Sequence, residues 1–304
     1  MSNVFVFVTA NEYEKVAFEL KFKCIKKSYV KGKSYKIGKF GLYDVAYIHV
    51  DEQGYTNPAA IPLVGELVRE VNPVAVIMVG IAFGVDERRQ RIGDVLVSQK
   101  ILSYDAAKVK PGCTVYKEDV KEPGFQLLNA FRDSDDWAYF IDGKRVAVFK
   151  GAILTGSRLI NNLGFRNELI ADFREYEPIG GEMEAFGIYS VCRMHGVSEW
   201  IIIKAICDWA YDKDTNKETY QKIASASAVD YCYHIFSQNA LSDLARSKVE
   251  KSDQVENAEI KERGEQLNTV NRGHIGKQNV INIIENNGNI SLYHKKLSIM
   301  SLGL

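Results

Sequence analysis

Short runs of unbroken apolar residues alternate along this chain with segments whose apolar positions recur every three or four residues. VFVFV (Val4 to Val8) is β-rich with no polar face, which predicts a strand buried on both sides. Thr9 is placed to cap the helical spacing of EYEKVAFEL that follows. Lys36 to His49 alternates around Gly41, as a hairpin does, and Ala59 to Val71 has helical period. Val74 to Val79 is a second buried strand leading into a glycine turn, GIAFG. Asp94 to Gln99, Arg145 to Leu154 and Trp200 to Cys207 predict further strands. Gly181 to His195 and Tyr220 to Phe236 predict helices. Strands that are apolar on both faces and alternate with helices indicate an α/β domain with a mixed, mostly parallel central sheet flanked by helices.

That pattern stops near Gln238, so residues 1–240 are expected to form the domain and 241–304 an extension. Leu241 to Gln266 is charged and helix-compatible, as a helical linker would be. The asparagine-rich segment QNVINIIENNGNISLYH predicts two short strands around Asn287-Gly288, a strong hairpin signal. An isolated hairpin is marginal in water, so this one is expected to pack on the domain, another copy or a protein partner.

Composition narrows the function classes. The chain has 304 residues, and its 39 basic and 39 acidic residues cancel. Zero net charge argues against a nucleic-acid coating protein. Five scattered cysteines without a C-x-x-C exclude a zinc ribbon and a disulfide framework, which favours a reducing cytoplasm. Met1 to Ala10 lacks a basic leader, and no eighteen-residue apolar run exists, so neither a signal peptide nor a membrane span is expected. His49, His195, His234, His274 and His294 have no metal spacing and read as surface or capping residues. No P-loop, dinucleotide fingerprint or nucleophile elbow is present, so no cofactor and no metal are expected.

In open α/β sheets ligands bind beyond the carboxyl ends of the strands, and here those ends carry acids. Glu12 and Glu14 follow the first strand; they either favour the helix start through its dipole or face a ligand. Glu182 and Glu184 flank Met183 at the head of an apolar helix, where burial without partners would be costly. Asp208 ends the most apolar strand, as a cap or as a site residue. Lys204, inside that strand, marks a sheet edge, snorkels or meets a ligand. Thr155 to Arg158 (TGSR) is a polar glycine turn whose amides suit an anion.

Together the segments VTANEYEKVAF, VIMVGIAFGVDERRQRIGDVLVS, GEMEAFGIYSVCRMHGV and IIIKAICDWAYDKD resemble the nucleoside phosphorylase and nucleosidase superfamily, over about Val4 to Phe236. The resemblance is strongest to methylthioadenosine/S-adenosylhomocysteine nucleosidases and to related effector domains of bacterial antiviral systems. It implies that Glu14 activates the attacking water and that Met183 and Glu184 hold the ribose, with Glu182 beside them. It further implies that Asp208 hydrogen-bonds and helps protonate the purine, that Ala82 lies beside the sugar, and that Thr155 lies near the next substrate loop. Homo-oligomers are usual in the superfamily.

The cations Arg88, Arg89 and Arg91 after the glycine turn, with Arg158 and Lys204, are candidate phosphate-binding residues if any of them faces the pocket. The resulting expectation is hydrolytic cleavage of the N-glycosidic bond of an adenine nucleoside or nucleotide, as salvage or as nucleotide depletion in defence. Two other readings stay open: a phosphorylase with TGSR or the arginine loop holding phosphate, and a non-catalytic nucleoside sensor or assembly module.

Overall fold

The computed structural model describes residues 3–50, 60–111, 113–117, 119–213, 216–246, 283–286 and 289–292. The chain forms two compact units, residues 1–252 and 253–304. The first opens with β1 (Phe5–Thr9), α1 (Glu12–Lys21), β2 (Lys23–Val30), β3 (Lys33–Phe40), β4 (Tyr43–His49), α2 (Ala60–Val71), β5 (Ala75–Gly84) and β6 (Val95–Ser103). Short strands β7 (Ala107–Lys110), β8 (Cys113–Tyr116) and β9 (Val120–Lys121) precede α3 (Phe125–Arg132), β10 (Phe140–Ile141) and β11 (Lys144–Arg145). Then come β12 (Val148–Thr155), α4 (Leu163–Asp172), β13 (Pro178–Glu182), α5 (Ala185–Met194), β14 (Trp200–Asp208) and α6 (Lys217–Phe236).

The main sheet runs β13-β12-β6-β14-β5-β1-β4-β3-β2, and β13 also pairs with β5. That last pairing closes five strands on themselves and leaves β1 to β4 as a wing. Pairs β1–β4, β1–β5, β5–β14, β6–β12 and β12–β13 are parallel, whereas β6–β14, β5–β13 and the wing hairpins are antiparallel. The mixed, mostly parallel sheet is therefore as expected; its closure is not a feature that apolar runs reveal.

Burial follows strand periodicity. In β1, Phe5 and Phe7 join a core with α1, α3 and α6, while Val6 and Val8 join a second core with α2 and α5. Both sheet faces are covered, which is why the strand has no polar face. Phe18 anchors the first core: its ring stacks on Phe40 at 4.7 Å and on Tyr47 at 4.3 Å between centroids. At the outer edge, β2 is exposed along most of its length and carries Lys23, Lys26 and Lys27, charges that discourage edge-to-edge pairing.

Several local expectations need correction. Asn11, not Thr9, caps α1: its side chain accepts from the Tyr13 N–H, and it forms a capping box with Glu14. GIAFG is not a turn but the end of β5. Gly181 and Glu182 are not helical; they end β13, and α5 starts at Ala185. A strand written PIGGE has one β-branched residue, Ile179, beside a proline and two glycines, and closure of the sheet holds it extended. His49 is buried, its Nδ1 3.0 Å from Thr9 Oγ1 and its Nε2 3.1 Å from Glu12 Oε1.

In the second unit Ile283–Asn286 pairs antiparallel with Asn289–Leu292, Asn286 opposite Asn289. The strands of the expected hairpin are thus present, while its Asn287-Gly288 turn and most of the expected linker helix lie outside the described residues.

Phe18→Ala should lower the stability of the domain by about 3–5 kcal/mol, because a fully buried aromatic leaves a cavity that its stacked neighbours cannot fill. Urea unfolding followed by circular dichroism checks this.

Candidate active site

One cavity of about 220 Å³ gathers the ends of strands and starts of helices that are far apart in the chain. Its lining includes Ala10, Asn11 and Glu14 from the β1–α1 junction, Ile81 to Phe83 from β5, and Gly181 to Glu184 from the β13–α5 junction. Arg158 to Asn161 come from the segment after β12, Cys207 to Trp209 from the end of β14, and Tyr211 to Lys213, Lys217, Tyr220 and Gln221 from the approach to α6. Strands β5 and β13 pair near their carboxyl ends, Phe83 opposite Gly181 and Gly84 opposite Gly180, and both ends reach this cavity. Gly181 is required there: a Cβ would lie 2.2 Å from the Phe83 ring.

Glu14 sits in the first turn of α1 and is buried. Its Oε2 accepts from the N–H groups of Ala10 (2.7 Å) and Asn11 (3.0 Å), and its Oε1 from that of Ile81 (2.9 Å). The carboxylate crosses directly over Gly80, where a Cβ would stand 2.2 Å from Oε1. The glycine of β5 therefore makes room for an acid from another element. Burial raises the affinity of Glu14 for a proton, Lys204 opposes this and Glu184 adds to it.

Lys204 neither snorkels nor marks an edge. β14 lies between β5 and β6, and Lys204 is wholly buried, its ammonium 3.0 Å from Glu184 Oε2 and 3.5 Å from Glu182 Oε2. Three carboxylates, Glu14 and Glu182 buried and Glu184 partly so, thus face one buried ammonium. Burial pushes Glu182 up to about 7 even though Lys204 pulls it down. Burial would also raise Glu184, but the adjoining ammonium outweighs it and holds this carboxyl below the ordinary carboxylate range. Glu184 is therefore the anion that Lys204 secures, and Glu182 the acid left to share a proton. Glu182 has a second task, accepting from the N–H groups of Glu184 (2.9 Å) and Ala185 (3.1 and 3.0 Å), which caps α5 and aims Glu184 at the cavity.

Asp208 faces this cluster from the end of β14. Its Oδ1 accepts from the Ala210 N–H at 2.7 Å and lies 3.4 Å from Lys213 Nζ; its Oδ2 accepts from the Cys207 thiol at 3.3 Å. Burial and the neighbouring carboxylate raise the Cys207 thiol far above its usual range, so it donates rather than attacks. The next residue, Trp209, is held by Arg166, whose guanidinium donates to the Trp209 carbonyl at 3.0 Å.

Glu14, Glu182, Met183, Glu184, Asp208, Ala82 and Arg158 therefore line one cavity. Other candidates do not line it. Thr155 is buried behind Glu182, its Oγ1 3.4 Å from the Phe186 N–H. Arg88 is exposed on a turn capped by Asp86, and Arg91 donates to the Arg145 carbonyl at 2.6 Å. Lys204 is a counter-ion rather than a ligand of an incoming phosphate. The TGSR turn is spent as an anion site, because the Ser157 N–H (2.9 Å) and hydroxyl (3.0 Å) both bind Asp105. Lys213 and Lys217, on the cavity rim, escaped the sequence reading; their only signal is a charged stretch after an apolar strand.

Lys204→Met should cost about 3–5 kcal/mol in urea unfolding, because it strands buried carboxylates without their cation. The pH dependence has a definite sign. Glu182 binds its proton more tightly when folded (about 7) than at its ordinary value of 4.5, so its contribution to stability is full below 4.5 and lost as pH rises through 7. The stability advantage of wild type over Glu182→Gln should therefore shrink between about pH 5 and about pH 8, checked by unfolding at both values.

Known proteins carry the same architecture. The phosphorylase superfamily model matches residues 5–230. A death domain-containing ATP nucleosidase from Amphimedon queenslandica is 26% identical over 219 residues, covering 65% of this chain and 40% of the relative. The ATP nucleosidase Cap17 of Escherichia coli (strain KTE188) is 26% identical over 211 residues, covering 60% of this chain and 40% of the relative. The chain thus spans about two fifths of the length of these curated relatives. Among solved structures, the 5'-methylthioadenosine/S-adenosylhomocysteine nucleosidase of Neisseria meningitidis, in complex with methylthio-immucillin-A, is similar with a TM-score of 0.65 at 21% identity, over 77% of this chain and 99% of that one. The Colwellia psychrerythraea nucleosidase in complex with adenine gives 0.66 at 18% identity, over 78% and 95%. A match across most of the chain, carried by a closed mixed sheet with acids at its strand ends, places this protein in the phosphorylase superfamily.

Proposed function

We propose that the protein hydrolyses the N-glycosidic bond of an adenine nucleotide or nucleoside, releasing free base. The observation that carries this reading is the excess of carboxylate over ammonium on the inner wall: Glu14, Glu182 and Glu184 share Lys204. Breaking a bond between C1′ and a purine nitrogen leaves positive charge on the sugar and an electron pair on the base. A water-poor wall of surplus negative charge stabilises the first. Asp208 serves the second by passing a proton to the purine as it leaves. Glu184, kept ionised by Lys204, accepts from the ribose hydroxyls, and Met183 packs against the sugar. Glu14, made more basic by burial, takes the proton of the water whose oxygen bonds to C1′.

Hydrolysis is favoured over phosphorolysis by what the cavity presents to a nucleophile. The TGSR amide and hydroxyl are occupied by Asp105, Arg88 and Arg91 lie elsewhere, and a carboxylate at Glu14 repels phosphate. The names of the relatives support an adenine nucleotide as substrate and a nucleotide-depleting role for the domain of residues 1–240, with 241–304 contacting a partner or another copy.

Chromatography of ATP, AMP, adenosine and methylthioadenosine incubations, with and without phosphate, tests the reading. Adenine is expected in phosphate-free buffer; strict phosphate dependence would replace hydrolysis by phosphorolysis. Asp208→Asn should lower kcat by about 100-fold or more with the fold intact. Glu14→Gln should lower kcat by about 100- to 10,000-fold with little change in KM.

A further inference from the structure

The cavity is graded in charge. Glu14, Glu182 and Glu184 are deep, whereas Arg158 and Lys217 are exposed at the rim together with one acid, Asp212, and neither cation forms an ion pair among the described residues. Lys213 differs from both. It is mostly buried and lies 3.4 Å from Asp208, the carboxyl that must face the purine. An ammonium left there sits against Asp208 Oδ1 and repels the positive charge that a protonating purine acquires. It must therefore move before the chemistry. Asp208 does not depend on it for orientation, because the Ala210 N–H and the Cys207 thiol hold both carboxyl oxygens. A lysine stem swings freely, and the nearby rim is cationic.

Resting on the nucleotide reading of this site, we propose that Lys213 is a selectivity residue that exchanges Asp208 for the phosphate chain of an incoming nucleotide, alongside Arg158 and Lys217. A nucleotide gives the displaced ammonium a new anion and frees Asp208 for the base in one exchange. An unphosphorylated nucleoside must break the same ion pair with no replacement, so the empty site is biased against it. The deep carboxylates add to the discrimination by keeping the phosphate chain at the rim and the sugar inward.

The test compares kcat/KM for ATP and adenosine in the wild type, Lys213→Met, Lys213→Arg and the double variant Arg158→Met with Lys217→Met. Lys213→Met should lower the ATP-to-adenosine ratio by about 10- to 100-fold, the worth of one charged hydrogen bond, with adenosine turnover itself rising. Lys213→Arg should keep most of the ratio. The double variant should lower the ratio without the rise on adenosine. Equal losses on both substrates in Lys213→Met would make Lys213 a mere support for Asp208 and overturn the proposal, as would no change on either. If the wild type releases base from neither substrate, the nucleosidase reading fails by itself. Calorimetry with inorganic triphosphate then decides: weaker binding by Lys213→Met supports the phosphate contact, and equal binding overturns it.

Discussion

A buried ammonium between carboxylates is the interaction on which the site depends. Lys204 stands in the middle of a central strand, where desolvation makes an unpaired cation prohibitive. Its neighbours Glu182 and Glu184 make it tolerable, and it makes them tolerable in turn. The balance is unequal. Three acids compete for one cation, so Glu184 is held as an anion while Glu182 and Glu14 keep raised proton affinities. A wall with surplus negative charge is a poor place for phosphate and a good one for a sugar that becomes cationic.

Backbone geometry delivers these groups. Closure of the sheet through β5 and β13 brings two carboxyl ends together, and both use glycine where another element passes close. Gly80 admits Glu14 and Gly181 admits the Phe83 ring. Helix ends do the rest: the capping box of α1 fixes Glu14, and Glu182 caps α5 from the preceding strand. The same side chains therefore terminate secondary structure and face the cavity, which explains why acids at strand ends read equally well as caps or as ligands.

The floor of the cavity carries carboxylates, and cations enter its lining toward the rim. Asp208 lies at that transition, half-buried between a thiol, a backbone N–H and the Lys213 ammonium. In the proposed reading, this arrangement leaves base and sugar to the carboxylates and a phosphate chain to the cations. The two kinds of group meet at the Lys213–Asp208 pair.

The sequence by itself determined the features that are local in the chain. Apolar runs marked β1, β5 and β14, because a strand covered on both faces is apolar at nearly every position. The acids around those runs made Glu12, Glu14, Glu182, Glu184 and Asp208 candidates, each readable as a cap or as a ligand, and the family resemblance chose among them. What only tertiary structure decided depends on register and closure between distant segments. PIGGE became a strand because two neighbours held it extended, against its own composition. Lys204 became a counter-ion because the β13–α5 junction presents carboxylates to the centre of β14, and the TGSR turn lost its free amide and hydroxyl to an aspartate 52 positions away. Periodicity records which face of an element is buried; it carries no record of which charge another element brings to that face.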